Sequence, residues 1–62
     1  MRIDRTKLVA EMTRQDLLVK DLVEKTGLSR ATISGIKAGK SCLEETARAI
    51  ADALKVSLDD LR

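Results

Sequence analysis

The sequence predicts an all-α domain of five short helices. Three observations carry that prediction. The chain contains no Phe, Tyr, Trp or Pro, so its core must be built from Leu, Ile, Val, Ala and Met. High Ala with no Pro and no aromatics favours helix over sheet. Apolar residues recur three and four positions apart, the helical period. Breaks fall at Gly27, at Gly39 and over Lys55–Ser57, with no linker, repeat or low-complexity segment between them. At 62 residues the chain holds one domain, residues 1–62. A domain of that size buries only about 60% of its unfolded surface and is marginal alone.

The first helix is expected from about Asp4 to Met12, with Asp4 as N-cap. Ile3, Leu8, Val9 and Met12 are placed inward, and Arg5, Lys7, Glu11 and Arg14 in solvent. Its end is poorly marked, because Thr13 to Asp16 contains neither Gly nor Pro. The second helix is expected from Leu17 or Leu18 to Thr26. On a helical wheel Leu18, Val19, Leu22, Val23 and Thr26 share one side, and Lys20, Asp21, Glu24 and Lys25 the other. Asp21 and Lys25 form an i,i+4 pair of favourable order, worth a few tenths of a kcal/mol.

Gly27 stops that helix, and Ser29 can cap a third one running to about Ala38. Ile33 and Ile36, with Leu28 just before them, are its inward stripe. The opposite face is Ala31, Ser34, Gly35 and Ala38, with Arg30 and Lys37 along one flank. A helix serving only solubility would carry Glu, Lys or Gln there. Gly35 costs about 1 kcal/mol against Ala in a helix. Small residues admit another surface closely, so this is a contact face. Two short helices joined by about four residues with a Gly form a helix-turn-helix, whose second helix commonly enters the DNA major groove.

The fourth helix is expected to start at a capping box, Ser41 to Glu44. Leu43, Ala47, Ile50, Ala51 and Leu54 then form the best amphipathic stripe in the chain. A last helical turn begins at Ser57, with Asp60 completing a second box, and Val56, Leu58 and Leu61 as its apolar residues. Short helices with short connections give a compact all-α domain.

Net charge is only +2, from 12 basic and 10 acidic residues, and its distribution says more. Leu28 to Leu43 holds Arg30, Lys37 and Lys40 and no acid, whereas acids dominate from Glu44 onward. A local basic surface matters more to a phosphate partner than the sum does. Lys37 and Lys40 are therefore candidate phosphate contacts. Arg30 opposes the helix dipole at the start of its helix, which points to an external reason for it. Bidentate pairing to guanine, or to a phosphate, fits.

There is no His, a single Cys and no glycine-rich phosphate loop. No catalytic set, metal site or cofactor is expected. Cys42 falls in the expected first turn of the fourth helix, where a dipole can lower a thiol pKa. It has no His or acid-base partner in the sequence, so it is read as small filler. One cysteine suits a reducing compartment. No apolar run approaches the roughly 20 residues of a membrane span, and no signal peptide is visible.

With these residues in place, the chain resembles the phage-repressor-like (Cro/repressor, or XRE) helix-turn-helix family. The resemblance covers about Leu8 to Leu61. It rests on LVEKTGLSRATISGIKAGK followed by TARAIADALKVSLDDL. It implies a compact five-helix, lambda-repressor-like DNA-binding domain. By position, Gly27 is the turn glycine, and Ile33 and Ile36 are the core pair of the reading helix. The DNA-facing positions fall on Ser29, Arg30, Ala31, Ser34 and Gly35, and Lys40 resembles a backbone-contacting position. The chemistry expected there is methyl contact with thymine from Ala31 and hydroxyl contacts from Ser29 and Ser34. Gly35 would leave room for close approach. The chain departs from the family at three places. Leu18 and Val19 stand where a Ser or Thr cap and a phosphate-touching Gln are usual, and Val23 where a small residue is usual.

The reading is a sequence-specific, double-stranded DNA-binding regulator of phage or mobile-element type, in a bacterial cytoplasm and on the nucleoid when bound. One such module reads about a half-site. A weak or DNA-assisted homodimer on a pseudo-palindromic operator is therefore expected, joined near Leu58 and Leu61. The alternative is a protein-protein interaction module of the same fold, an antitoxin or adaptor with little or no DNA reading. Modest net charge and the missing Gln favour it. An enzyme is not expected.

Overall fold

The computed structural model describes residues 1–62. It contains α1 (Arg5–Arg14), α2 (Val19–Thr26), α3 (Arg30–Lys37) and α4 (Glu44–Leu54), then one 3₁₀ turn over Leu58–Leu61. The expected fifth helix is thus only that turn. Its capping box forms as expected: Ser57 N–H donates to Asp60 Oδ2 at 3.1 Å, and Asp60 N–H to Ser57 Oγ at 3.3 Å. Four residues are too few to propagate α-helix after the costly first turn.

α1 starts at its expected cap. Asp4 Oδ1 accepts from the Thr6 and Lys7 amides at 2.9 and 3.3 Å. The helix runs two residues past Met12, to Arg14. No glycine ends it. Asp16 takes the left-handed conformation instead, at φ 57°. The last turn is fastened sideways, where Gln15 Nε2 donates to Leu54 O at 2.7 Å and to Glu11 at 3.1 Å. Hydrogen bonds from Arg14, then from Gln15, hold the Glu11 carboxyl below its ordinary pKa.

Eleven side chains form the core, among them Leu8, Met12, Leu22, Ile33, Ile36, Ile50 and Leu54. α2 packs on α3 and α4, while α1 packs on α3 and the closing turn. Each large aliphatic side chain so buried contributes roughly 1.5–3 kcal/mol. In the first two helical segments, two residues placed inward by periodicity are not there. Val9 is 38% exposed, because Ile3, Leu8 and Met12 already fill α1's inner stripe. Leu18 is 59% exposed, because it precedes α2 in extended conformation.

α4 departs most from its expected start. Ser41 caps nothing, and the helix begins at Glu44 behind an extended Leu43. The cause is the N-terminal strap. Cys42 N–H donates to Met1 O at 2.7 Å, and the Met1 ammonium donates to Cys42 O at 2.8 Å. That pairing holds Cys42 out of the helix, half-buried beside the core. Leu43, expected in the buried stripe, is 67% exposed. Ala47, Ile50, Ala51 and Leu54 are buried as expected. The strap goes on to place Ile3 in the core and to give Asp4 N–H to Leu61 O at 2.7 Å. Leu61 is itself fully buried. That burial withdraws it from the expected dimer contact, and Leu58 is half-buried against the same core.

Candidate nucleic-acid interface

α2 ends at Gly27, whose φ of 74° reverses the chain where a Cβ would be strained. Leu28 half-buries beside the core, and Ser29 starts α3. Ser29 Oγ accepts from Thr32 N–H at 3.1 Å and lies 2.8 Å from the Thr32 hydroxyl. The Ser29 hydroxyl is therefore already engaged as a cap. Ile33 and Ile36 point into the core at 0% and 2% exposure. Their burial fixes the rotation of α3 and turns the other side out.

That outer side is covered by no other helix. Ser29, Arg30, Ala31, Thr32, Ser34, Lys37, Ala38 and Lys40 are all exposed, and Gly35 is half-buried. The cover over Gly35 is Lys40. The loop turns back so that Lys40 N–H donates to Gly35 O at 3.0 Å. The Lys40 Cδ then lies 3.3 Å from the point a Gly35 Cβ would occupy. The bare position admits the chain's own lysine stem, which lies along the outward face. Beside it, Ala31, Gly35, Lys40, Ser41 and Thr46 line a shallow open groove between α3 and the start of α4.

The charges on this face are unpaired. The three ion pairs of the molecule join Arg14 to Glu11, Arg48 to Glu44 and Arg62 to Asp59. None involves Arg30, Lys37 or Lys40, and α3 has no acid in its first turn. The start of α2 is the opposite. Leu18 offers no capping side chain. The Asp21 carboxylate accepts from Leu18 N–H at 2.8 Å instead of meeting Lys25. A carboxylate thus stands where a phosphate would seek an amide.

The expected DNA-facing residues, Ser29 to Lys40, therefore lie together on one surface. Two residue types escaped the sequence reading. Thr32 is exposed beside Ser29, a placement readable only from the cap. Arg5, assigned to solvent, and Arg2, to which the sequence assigns no role, are brought beside Ala38 and Gly39 by the strap. No periodicity signals that, because the strap is not a helix.

Two eight-residue helices joined by a glycine turn, the second presenting an uncovered face, define a helix-turn-helix domain. The chain belongs to the Cro/C1-type HTH DNA-binding domain family, whose family model matches residues 7–62. No curated protein and no solved structure gives a significant match. No helix is long and apolar enough to cross a membrane.

Proposed function

We propose that this chain is a sequence-specific transcriptional regulator, a repressor of phage or mobile-element type, that reads duplex DNA with α3. The observation that carries the reading is the outward face of α3: uncovered, sparsely furnished, free of acids and flanked by three unpaired cations. Arg30 is the base-reading residue, with Ala31 and Ser34 against base edges beside it. Lys37 and Lys40 take backbone phosphates, and Ser29 sets the helix start they depend on. Gly35 lets the Lys40 stem pass along this face. One module buries about 600–1,000 Å² on DNA, too little for a whole operator. Two copies on a pseudo-palindrome complete it, in the cytoplasm and on the nucleoid of a bacterium. Leu58 is the side chain of the closing turn that a second copy would touch.

Selection of preferred sites from random duplexes tests this reading. The native chain should enrich a short two-fold motif, and an Arg30→Ala, Ser34→Ala chain should lose it. Enrichment of no motif by the native chain would remove the reading. A specific feature favours the second one, a protein-interaction module: the exposed Leu18 beside Asp21 is a poor phosphate site. That module would fail to shift random duplex at low salt, where a DNA reader shifts it readily.

A further inference from the structure

Arg2, Arg5 and Arg62 line one open groove whose far wall is Ala38 and Gly39, the C-terminal end of α3. They come from opposite ends of the sequence and meet because the strap is tied to both Cys42 and Leu61. Gly39 has φ 103°, and the Arg5 Cδ lies 3.8 Å from where its Cβ would be. The Arg5 stem therefore rests on the end of α3. Arg62 is drawn toward Asp59 at 3.6 Å. Arg2 and Arg5 have no carboxylate partner. The one acid in the groove, Asp4, is turned to the Thr6 and Lys7 amides.

We infer that Arg2 and Arg5 form a second phosphate-binding site, which grips the DNA backbone beyond the C-terminal end of α3. This rests on the reading that α3 lies in the major groove. The major groove is about 12 Å wide and takes one helix, about 10–12 Å across with its side chains, so a phosphate backbone flanks α3 on either side. Where α3 ends at Lys37 the chain leaves the groove past one of those backbones, and side chains packed at that end beside Ala38 and Gly39 face phosphates rather than bases. Two guanidiniums are suited to this, because each can hold a phosphate through two parallel N–H donors. The site also sits at the end of the motif opposite α2, whose own start carries a carboxylate.

The test is equilibrium binding to the selected duplex between 50 and 200 mM salt. The chains compared are the native one, Arg2→Gln/Arg5→Gln, Arg2→Lys/Arg5→Lys and Arg30→Ala, with amide NMR spectra confirming the same fold. Glutamine keeps part of the stem on Gly39 and removes the charge. Two lost phosphate contacts should flatten the logarithmic salt slope by about 1.8, so that affinity falls about tenfold less over this range. The lysine pair should restore most of the slope, and the preferred motif should not change. A native slope in the glutamine pair, with Arg30→Ala still weakening binding, would overturn the second site and leave the α3 reading standing. A flattened slope that lysine does not restore would assign the effect to the strap's packing and overturn the site. No binding by the native chain at 50 mM salt would end both readings.

Discussion

The starts of α2 and α3 are the same structural event with opposite surfaces. Each follows an extended residue, each opens an eight-residue helix, and each lies in the same motif. At α3 a serine caps the helix, no acid follows, and an arginine stands exposed in the first turn. At α2 a leucine stands exposed where the cap would be, and an aspartate answers its amide. The difference persists along the outward faces. α2 turns Lys20, Glu24 and Lys25 to water, a mixed solvated surface, whereas α3 turns out Ala31, Ser34 and Lys37. A helix-turn-helix thus needs both helices for its geometry, but here only one is furnished to meet an anion.

The largest effect comes from breaking what the two helices share. Leu22 is fully buried where α2 packs against α3 and α4. Leu22→Ala should cost about 2–5 kcal/mol, much of the roughly 3–9 kcal/mol a domain of this size has. Urea unfolding should show the midpoint collapse, and DNA binding should go with it. A loss under about 1 kcal/mol would mean that the two helices are not held through a common core.

The next two substitutions separate the two starts. Arg30→Ala should weaken binding to the selected duplex by about 1–3 kcal/mol and relax preference at one base position. Folding stability should barely move, since the side chain is exposed and unpaired. Asp21→Asn should act in the other direction on DNA. Removing the carboxylate should strengthen binding a few-fold at low salt while costing about 0.5–1 kcal/mol of stability, because Leu18 N–H loses a charged acceptor. Titration of both variants against one duplex checks the contrast. If Asp21→Asn weakened binding as much as Arg30→Ala does, α2 would be a DNA-contacting start after all.

Most of this contrast was legible in the sequence, for a definite reason. Gly27, Ser29, Ile33 and Ile36 act over three to seven residues, and period and capping chemistry operate at that range. The same reasoning failed where a distant segment decided the outcome. Ser41 and Glu44 satisfy a capping pattern, yet Met1 holds Cys42 out of the helix from 41 positions away. Leu61 is expected at a dimer contact, yet it is fully buried, with its carbonyl tied down by Asp4 N–H. Val9 fits the apolar pattern of α1, but Ile3 arrives from the strap to fill the space. Arg5 reads as a solvated charge, and Arg2 as nothing in particular, for the same reason. The strap has no periodic pattern, so what it does to the rest was invisible.

Gly35 gives the smallest expected effect and the finest test of the bare face. In α2 the outward positions are long side chains held off by water, so adding a methyl there would change little. In α3 the added methyl would meet Lys40 Cδ at 3.3 Å. That atom belongs to a flexible, exposed stem, so it can give way by a few tenths of an ångström. The helix gains in return, since Ala is favoured over Gly inside a helix by up to about 1 kcal/mol. Gly35→Ala should therefore raise the unfolding midpoint slightly. On DNA it should have the opposite sign. The methyl displaces the lysine stem from its bed and thickens the face, so affinity should fall a few-fold while the salt slope changes by less than one contact. Stability and affinity moving in opposite directions would show that the missing side chain serves the outward surface rather than the fold. A parallel fall in both would instead make Gly35 a packing residue, and the sparse face of α3 would have to be explained by the loop that folds back over it.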